Sequence, residues 1–395
     1  MATHISAQDF VRSASRTAQH YGFSTLEMLR QNPACKGCVD RVPHTASMQE
    51  KKVDALYGML TSGMTAYFEN RINAIQGPSL FYTIEKVPRT GDIAFAFHVL
   101  NVRKSIAETM LIQAIRSFLN DIGHEKSQVR INSLGDSDSL IRYTRDLTNY
   151  LRKRIEEMPP TARELMKQHP CEALIHLIEK NHELSFKSPS PLEYLSDGSR
   201  KHFREIIEYL DISQTPFEID PRLMGHHSCY SDALFAIDVL NDNGKKSEDE
   251  TITIRGGRYD AFVSRTTKEK VPAVGAVIIL KNRKAPEHIP APRAKQPSGI
   301  YLAQLGFGPK VRSLLLIEEL RRAGINVTQN VTSDSLSEQL RQAESENAQY
   351  AIILGHKEFM NDTIIVRNLH AQNQENIPIH TLTHYLQKVA RVGTA

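Results

Sequence analysis

A proline-rich, basic segment between Lys281 and Gly299, "KNRKAPEHIPAPRAKQPSG", divides the chain into two unequal parts. The segment contains few apolar residues, and its prolines favour a semi-extended backbone that does not build a core. We therefore predict a first domain over residues 1–283, a linker over 284–298 and a second domain over 299–395. The length agrees, since domains usually contain about 100–200 residues.

The two parts carry different secondary-structure patterns. After the linker, "IYLAQ" is typical of a strand and "PKVRSLLLIEELRRAG" of a helix, and further strands and helices alternate to the end. This alternation predicts a small α/β domain. Before the linker, helices and strands come in uneven blocks, which favours an α+β domain around an antiparallel sheet. A charged stretch over about 138–187 predicts a helical insertion in that domain.

The strongest single helix of the first domain is expected to begin at Ser105. Ser105 and Glu108 have the spacing of a capping box, in which the two side chains satisfy each other's backbone N–H groups. Apolar residues then recur with helical periodicity, as Ala107, Met110 and Leu111 illustrate.

Composition narrows the class of protein. A net charge of +4 permits nucleic-acid binding without establishing it. No apolar run approaches the ~20 residues of a membrane-spanning helix, and the N-terminal residues lack the apolar centre of a signal peptide. The four cysteines are too few for a disulfide framework in a chain of this length. A cytoplasmic protein without a membrane partner is expected.

Two glycines interrupt an apparent strand in "IRGGRYDAF", Ile254 to Phe262. Glycine weakens a strand interior, so its presence indicates that a ligand or another backbone comes very close. A simple β-bulge is the alternative explanation. The residues alone leave both open.

Several segments resemble histidyl-tRNA synthetase, a class II aminoacyl-tRNA synthetase. They are "INSLGD", "YLSDGSRKHFREIIEYLD" with "FEIDPRLM", "GGRYD", and "AGINV" with "SLSEQLRQAESENAQYAIILG". Together they cover nearly the whole chain in the family's order. The resemblance implies a class II synthetase-like core, an anticodon-binding-like domain and a homodimer. It also implies that Gly256, Gly257, Arg258 and Tyr259 form the floor on which histidyl-adenylate lies.

The segments that bind ATP and histidine in this family depart from its pattern. After "DPRLM" the family has an arginine-led recognition motif, but this chain has Gly225, His226 and His227 there, and only Tyr230 and Phe235 fit. The arginine that ends motif 3 is replaced by Asn282. Arg283 follows one residue later, and a one-residue offset points a strand side chain to the opposite face.

Motif 2 and the segment before it are altered as well. Arg89 is the one residual catalytic candidate, but the acidic residue and arginine expected after it are missing. The family's L-R-P-E-x-T segment appears as "LTSGMTA", with Gly63 in place of the glutamate and Thr65 retained. Because removal of one electrostatic donor costs about 10²–10³ in rate, we predict an intact fold with an inactive activation site.

Cysteine and histidine residues provide two further candidate sites. Cys35 and Cys38 form a lone CxxC that would bind a metal only if two more ligands converge; the alternative is a loop with free thiols. His226 and His227 beside Cys229 suggest a nucleophile with a base, but the sequence offers no acid partner, and replacement of the lost motif is favoured. No metal or cofactor is therefore predicted, except ATP and Mg²⁺ should the chain activate histidine.

Basic residues of the first helix after the linker are candidates for contact with RNA phosphates. The alternative is a solvated helix face. The four residues are Lys310, Arg312, Arg321 and Arg322.

Three functions are compatible with these observations. The first is a catalytically inactive synthetase-like protein that binds tRNA, another structured RNA or a protein partner. The second is an active histidine–tRNA ligase with substituted residues. The third is a regulatory subunit of ATP phosphoribosyltransferase, which synthetase-like paralogues resemble, although those usually lack the C-terminal domain.

Overall fold

The computed structural model describes residues 5–26, 29, 55–70, 72–74, 77–87, 90–241, 243–244, 246, 251–267, 270–281 and 298–392. The chain divides into two compact units. The large unit comprises Thr25–Glu108 and His124–His288, and the small unit comprises Met1–Ser24, Thr109–Gly123 and Ile289–Ala395. Residues 5–24 and 109–123 group with the C-terminal part of the chain in this division, and the sequence-based domain boundaries remain a prediction.

An eight-stranded sheet organises the large unit, in the order β1-β2-β3-β8-β7-β6-β4-β5. From β2 to β4 along this order all neighbours are antiparallel, and β5 lies parallel to β4. The predicted α+β architecture around an antiparallel sheet is thereby confirmed. The strands are β1 (Ser24–Thr25), β2 (Ser79–Lys86), β3 (Ile93–Leu100), β4 (Ser127–Ser133), β5 (Phe217–Ile219), β6 (Ser231–Val239), β7 (Ile252–Arg258) and β8 (Ala273–Leu280).

Helices precede, interrupt and follow these strands. The chain between β4 and β5 forms helices joined by turns and loops and contains no strand, as expected for the insertion, and its helices continue beyond residue 187 to Ile212. Its helices are α4 (Ser137–Arg152), α5 (Pro160–Gln168), α6 (Pro170–Glu179), α7 (Glu183–Phe186) and α8 (Asp197–Ile212). The others before the second sheet are α1 (Ala7–His20), α2 (Ala55–Glu69), α3 (Ile106–Asp121) and α9 (Asp260–Thr267). Short 3-10 turns lie at Ile72–Ala74, Ile155–Glu157 and Pro191–Tyr194.

Helix α4 shows why the insertion is helical. The Asp136 side chain accepts a hydrogen bond from the Ser139 N–H and so caps the first turn. Tyr143, Leu147 and Leu151 follow at four-residue intervals and are buried on one face. The capping residue and the apolar periodicity therefore both favour a helix at this position.

Helix α3 is present where the sequence predicts a helix, but the capping box proposed there is wrong. The Ser105 hydroxyl donates to the Glu205 carboxylate at 2.5 Å. The Glu108 carboxylate is fully buried and binds Arg258 and His202. Both side chains therefore bind residues distant in sequence and do not cap the helix.

A five-stranded sheet organises the small unit, in the order β10-β9-β11-β12-β13. Strand β9 is parallel to β10 and β11, whereas β11, β12 and β13 are mutually antiparallel. The predicted α/β alternation is confirmed. The elements are β9 (Ile300–Gln304), α10 (Phe307–Arg322), β10 (Thr328–Gln329), α11 (Leu336–Ser345), β11 (Tyr350–Leu354), α12 (His356–Met360), β12 (Thr363–Asn368), β13 (Gln374–Pro378), a 3-10 turn at Ile379–Thr381 and α13 (Leu382–Val392).

The N-terminal helix belongs to the core of the small unit. Tyr21, fully buried just after α1, places its hydroxyl 2.8 Å from Ser117 Oγ and 3.4 Å from Glu318 Oε2. The Phe10 and Phe118 rings meet edge to face at 5.4 Å. Three separate chain segments thus build one core. Within the described part of the chain, no helix has the length and apolarity required to cross a membrane.

Candidate functional site

Both glycines of "IRGGRYDAF" are required by contacts inside the protein. A Cβ added to Gly256 would lie 2.5 Å from Phe235 Cζ and 2.7 Å from the Gly275 carbonyl oxygen. A Cβ on Gly257 would lie 2.8 Å from the Ala233 carbonyl oxygen, where β6 shifts its register against β7. The close approach that the sequence indicates is therefore made, for both glycines, by neighbouring strands.

Arg258 is engaged in a buried ion pair. Its guanidinium donates two hydrogen bonds to the Glu108 carboxylate, Nε to Oε1 at 2.9 Å and Nη2 to Oε2 at 3.0 Å. His202 Nε2 lies 2.8 Å from Glu108 Oε1. Burial opposes ionisation, but the charges of Arg258 and His202 lower the pKa of Glu108 to about 2. The positive charge of Arg258 is thus neutralised within the fold.

Tyr259 and His98 form a second buried polar pair. The Tyr259 hydroxyl lies 3.0 Å from His98 Nδ1, and the imidazole stacks on Phe81 at 4.6 Å. Burial lowers the pKa of His98 to about 3, so the ring is neutral. Its Nε2 has no hydrogen-bond partner among the described residues. This nitrogen points at Gly63, where an added Cβ would meet the ring at under 3.0 Å.

Helix α2 covers the strand face that carries Gly275. A Cβ on Gly275 would lie 2.6 Å from Leu60 Cδ2 and 2.9 Å from Tyr259 Cε1. Met59, Leu60 and Met64 of α2 are buried in the same apolar cluster as Tyr259. The "LTSGMTA" segment, in which the family's glutamate is replaced by Gly63, therefore lies in a packed core.

The stretch that replaces the arginine-led motif is also packed against a buried ring. A Cβ on Gly225 would approach the Tyr230 ring at under 3.0 Å, and Tyr230 is buried. A longer side chain at Gly225 therefore requires Tyr230 to move.

His227 has an acid partner that sequence reasoning missed. Glu172, at the start of α6, places Oε1 2.7 Å from His227 Nδ1. This hydrogen bond lowers the pKa of Glu172. The His169 ring stacks on His227 at 3.8 Å, and burial together with His227 lowers the pKa of His169 to about 4. Glu172 and His227 are 55 residues apart, so no local spacing could have indicated the pair.

A polar cavity of about 470 Å³ was also not foreseen from the sequence. Asp232 lies at its wall with a left-handed φ of 48°, and its carboxylate accepts a hydrogen bond from Ser199 Oγ at 2.6 Å. Acidic and basic groups face the cavity together, which suits a polar ligand rather than an apolar one. Its charged or titratable lining residues are Arg103, Asp136, His202, Asp232, Arg258, Asp260 and Lys270.

Five sequence candidates lie outside the described residues. They are the residual catalytic candidate Arg89, the altered motif positions Asn282 and Arg283, and the CxxC cysteines Cys35 and Cys38.

Two of the four RNA-contact candidates form ion pairs inside the small unit with their side chains largely withdrawn from solvent. Lys310 is buried and its Nζ lies 2.7 Å from Asp334 Oδ1. Arg321 is bound by Glu318 and Asp121, each at 2.8 Å. Because they are largely buried and paired, the charged groups of Lys310 and Arg321 do not face solvent, where an RNA phosphate could reach them.

The other two candidates remain accessible. The Arg322 side chain is 63% exposed, although it pairs with Glu318 at 2.9 Å. Arg312 is partly exposed. An RNA-facing surface on α10 would therefore be limited to these two residues.

Comparison with known proteins agrees with the resemblance seen in the sequence. Residues 313–389 match the model of an anticodon binding domain. The chain is 26% identical over 298 residues to a histidine–tRNA ligase of a Geobacillus species, covering 75% of this chain and 70% of the relative. It is 25% identical over 346 residues to the histidine–tRNA ligase of Halalkalibacterium halodurans, covering 83% and 79% respectively. The chain is therefore similar in sequence to histidine–tRNA ligases over most of its length.

Other relatives of this synthetase-like protein, also histidine–tRNA ligases, are matched over 62–63% of their length. Among solved structures, apo histidyl-tRNA synthetase of S. aureus is similar with a TM-score of 0.44 and 18% identity, covering 81% of this chain and 80% of the other.

Proposed function

We propose that this synthetase-like protein does not activate histidine and instead binds tRNA or another structured RNA through its anticodon-binding domain. The observation that carries the proposal is the packed core between α2 and the strands around Gly275, at the segment where the family keeps a charged motif. We further propose a cytoplasmic homodimer, from the family resemblance.

Activation of an amino acid by ATP needs positive charge at the phosphates and a pocket that holds the amino acid. Two positions at which the family has charged side chains are glycines here. The space beside Gly63 is filled by the His98 ring, and the space beside Gly225 by the Tyr230 ring. A charged side chain at either position would meet a buried ring, which supports loss of the activation chemistry.

Retention of the anticodon-binding domain supports an RNA ligand. Residues 313–389 match that domain, while the motifs that serve ATP and histidine are altered. Arg312 and Arg322 supply accessible positive charge on α10. Such contacts are sequence-independent and weaken as salt rises.

Two measurements on the purified full-length chain test this proposal. In ATP–pyrophosphate exchange with histidine, we expect no activity above background, with a histidine–tRNA ligase as positive control. In calorimetry with ATP, histidine and bulk tRNA, we expect heat of binding from tRNA alone. Robust exchange would establish the active-ligase alternative and overturn the proposal.

The remaining outcomes identify rival functions. Binding of histidine without ATP, or co-purification with a phosphoribosyltransferase, would favour a regulatory subunit. Binding of none of the three ligands would refute the RNA proposal and favour a protein partner.

A charge-reversal pair locates the RNA surface. Arg312→Glu combined with Arg322→Glu should weaken tRNA binding and reduce its salt dependence, because each lost phosphate contact lowers the salt slope by about one. Arg152→Glu with Lys153→Glu introduces the same charge change in the large unit and serves as the control. Equal weakening by both pairs would argue against a surface on α10.

A further inference from the structure

Four polar side chains form a cluster separate from the Arg258 ion pair and from the polar cavity. They come from the start of α6 and from the loop before β6: His169, Glu172, His226 and His227. One ligand atom each from Glu172, His226 and His227 lies within 4.8 Å of the other two, and no second such group of His, Cys, Asp or Glu occurs among the described residues. The Glu172 and His227 side chains are 22% and 26% exposed, so an ion in solution can reach them.

His227 has contacts at both ring nitrogens. Nε2 lies 3.2 Å from Ser228 Oγ, and Nδ1 lies 2.7 Å from Glu172 Oε1. When Nε2–H donates to the hydroxyl, the Nδ1 lone pair faces a carboxylate oxygen. In this tautomer a metal ion can take the place of the proton that Nδ1–H would otherwise donate to the Glu172 carboxylate. A metal-binding histidine typically has its other nitrogen fixed by a hydrogen bond in this way.

His226 completes the donor set. The Ser228 N–H donates to His226 Nδ1 at 3.2 Å, so this ring would coordinate through Nε2. The His226 and His227 rings lie 4.9 Å apart and are nearly parallel. Arg265 donates to the Ser228 carbonyl oxygen and holds the loop that carries both histidines.

We propose that Glu172, His226 and His227 bind one divalent transition-metal ion of the Zn²⁺ class, with water in the remaining position. Two imidazoles and a carboxylate suit Zn²⁺, whereas Mg²⁺ and Ca²⁺ prefer oxygen ligands alone. Bonds of about 2.0–2.1 Å place tetrahedral ligand atoms about 3.3 Å apart. The three donor atoms lie within 4.8 Å of one another and would have to close to that separation when the ion binds.

The ion would join the helical insertion to the strand that follows the altered motif. It would also place positive charge beside Gly225, where the family has an arginine. The proposal does not depend on whether the chain binds RNA or activates histidine.

The test uses the untagged full-length protein after removal of metal with a chelator. Titration with zinc sulfate by calorimetry and metal analysis after dialysis should both give one Zn²⁺ per chain. Glu172→Gln and the double variant His226→Asn, His227→Asn should each lose this stoichiometric site. Ser228→Ala should weaken it about tenfold or more, because that residue fixes His227. His176→Asn, on the same helix α6, is the matched control and should bind normally.

Two further measurements distinguish this site from the CxxC. A Cys35→Ser, Cys38→Ser variant should keep the site, and the Co²⁺-substituted protein should show no thiolate charge-transfer absorption. Circular dichroism confirms that each variant is folded. Absence of saturable binding, binding that survives loss of both histidines, or binding lost with the two cysteines would overturn the proposal.

Discussion

Two glycines of helix α2 provide a direct test of the packed core above the strands. A Cβ on Gly58 meets no atom within 4 Å, whereas a Cβ on Gly63 would meet the His98 ring at under 3.0 Å. The same substitution, Gly→Ala, is therefore made twice in one helix. The two variants differ only in what the new methyl group contacts.

The expected effects have opposite signs. Alanine in place of a helical glycine stabilises by about 0.5–1 kcal/mol, which is the whole effect expected for Gly58→Ala. At Gly63 the same gain is opposed by overpacking, which costs about 1–3 kcal/mol. The His98 ring has no room to retreat, because it stacks on Phe81 at 4.6 Å and bonds Tyr259 at 3.0 Å. We expect Gly63→Ala to be net destabilising by about 1–2 kcal/mol.

Differential scanning calorimetry measures this contrast as the sign of the Tm shift. A change of 1 kcal/mol moves Tm by about 2–4 °C in a domain of 150–250 residues. Gly58→Ala should raise the Tm of the transition, and Gly63→Ala should lower it by about 2–8 °C. In a His98→Ala background the same Gly63→Ala change should no longer destabilise, since the clash is absent. A Gly63→Ala variant as stable as Gly58→Ala would refute the packed-core interpretation.

Three further predictions concern buried groups. Burial holds the pKa of His98 near 3 instead of 6.5. The neutral His98 ring therefore stabilises the fold fully above pH 6.5, and this stabilisation declines as the pH falls toward 3. His98→Asn should make the loss of unfolding free energy between pH 6.5 and pH 5 smaller by about 2 kcal/mol, and an unchanged pH dependence would contradict this. Glu108→Gln removes the carboxylate that binds buried Arg258 twice and leaves it the longer ion pair with Asp260 at 3.5 Å, so it should destabilise by about 3–5 kcal/mol in thermal unfolding. Replacing Glu108 and Arg258 by Met should recover much of the loss, and a stable Glu108→Gln variant would show that the ion pair is dispensable. Gly225→Arg should give no histidine-dependent ATP–pyrophosphate exchange and should lower Tm because the Tyr230 ring fills the space; recovered exchange would contradict the proposed inactivity.

Sequence reasoning recovered the architecture because local patterns determine it. The strand expected from "IYLAQ" is β9, Ile300–Gln304, and the helix expected after it is α10, Phe307–Arg322. Alternating and helical periodicities report which faces are buried, and capping residues such as Asp136 report where helices begin.

The site could be predicted only in part, since its contacts join distant segments. Gly256 indicated a close approach, but its sequence context could not distinguish a ligand from the Phe235 ring. Glu108 has the spacing of a capping residue, yet its partner Arg258 is 150 residues away. Strand pairing and helix packing bring such groups together, and neither is encoded in short-range spacing.

The composition of the small unit has a consequence for how the protein is made. The Tyr21 hydroxyl meets Glu318 across a separation of 297 residues. At about 5–20 residues per second, the ribosome produces that partner roughly 15–60 s after Tyr21 emerges. Until then, the contacts of this N-terminal region that can form include those with Ser117 and Phe118 of α3. A chain truncated before α10 would therefore lack the part of this core that Glu318 supplies, and its N-terminal helix would be only partly packed.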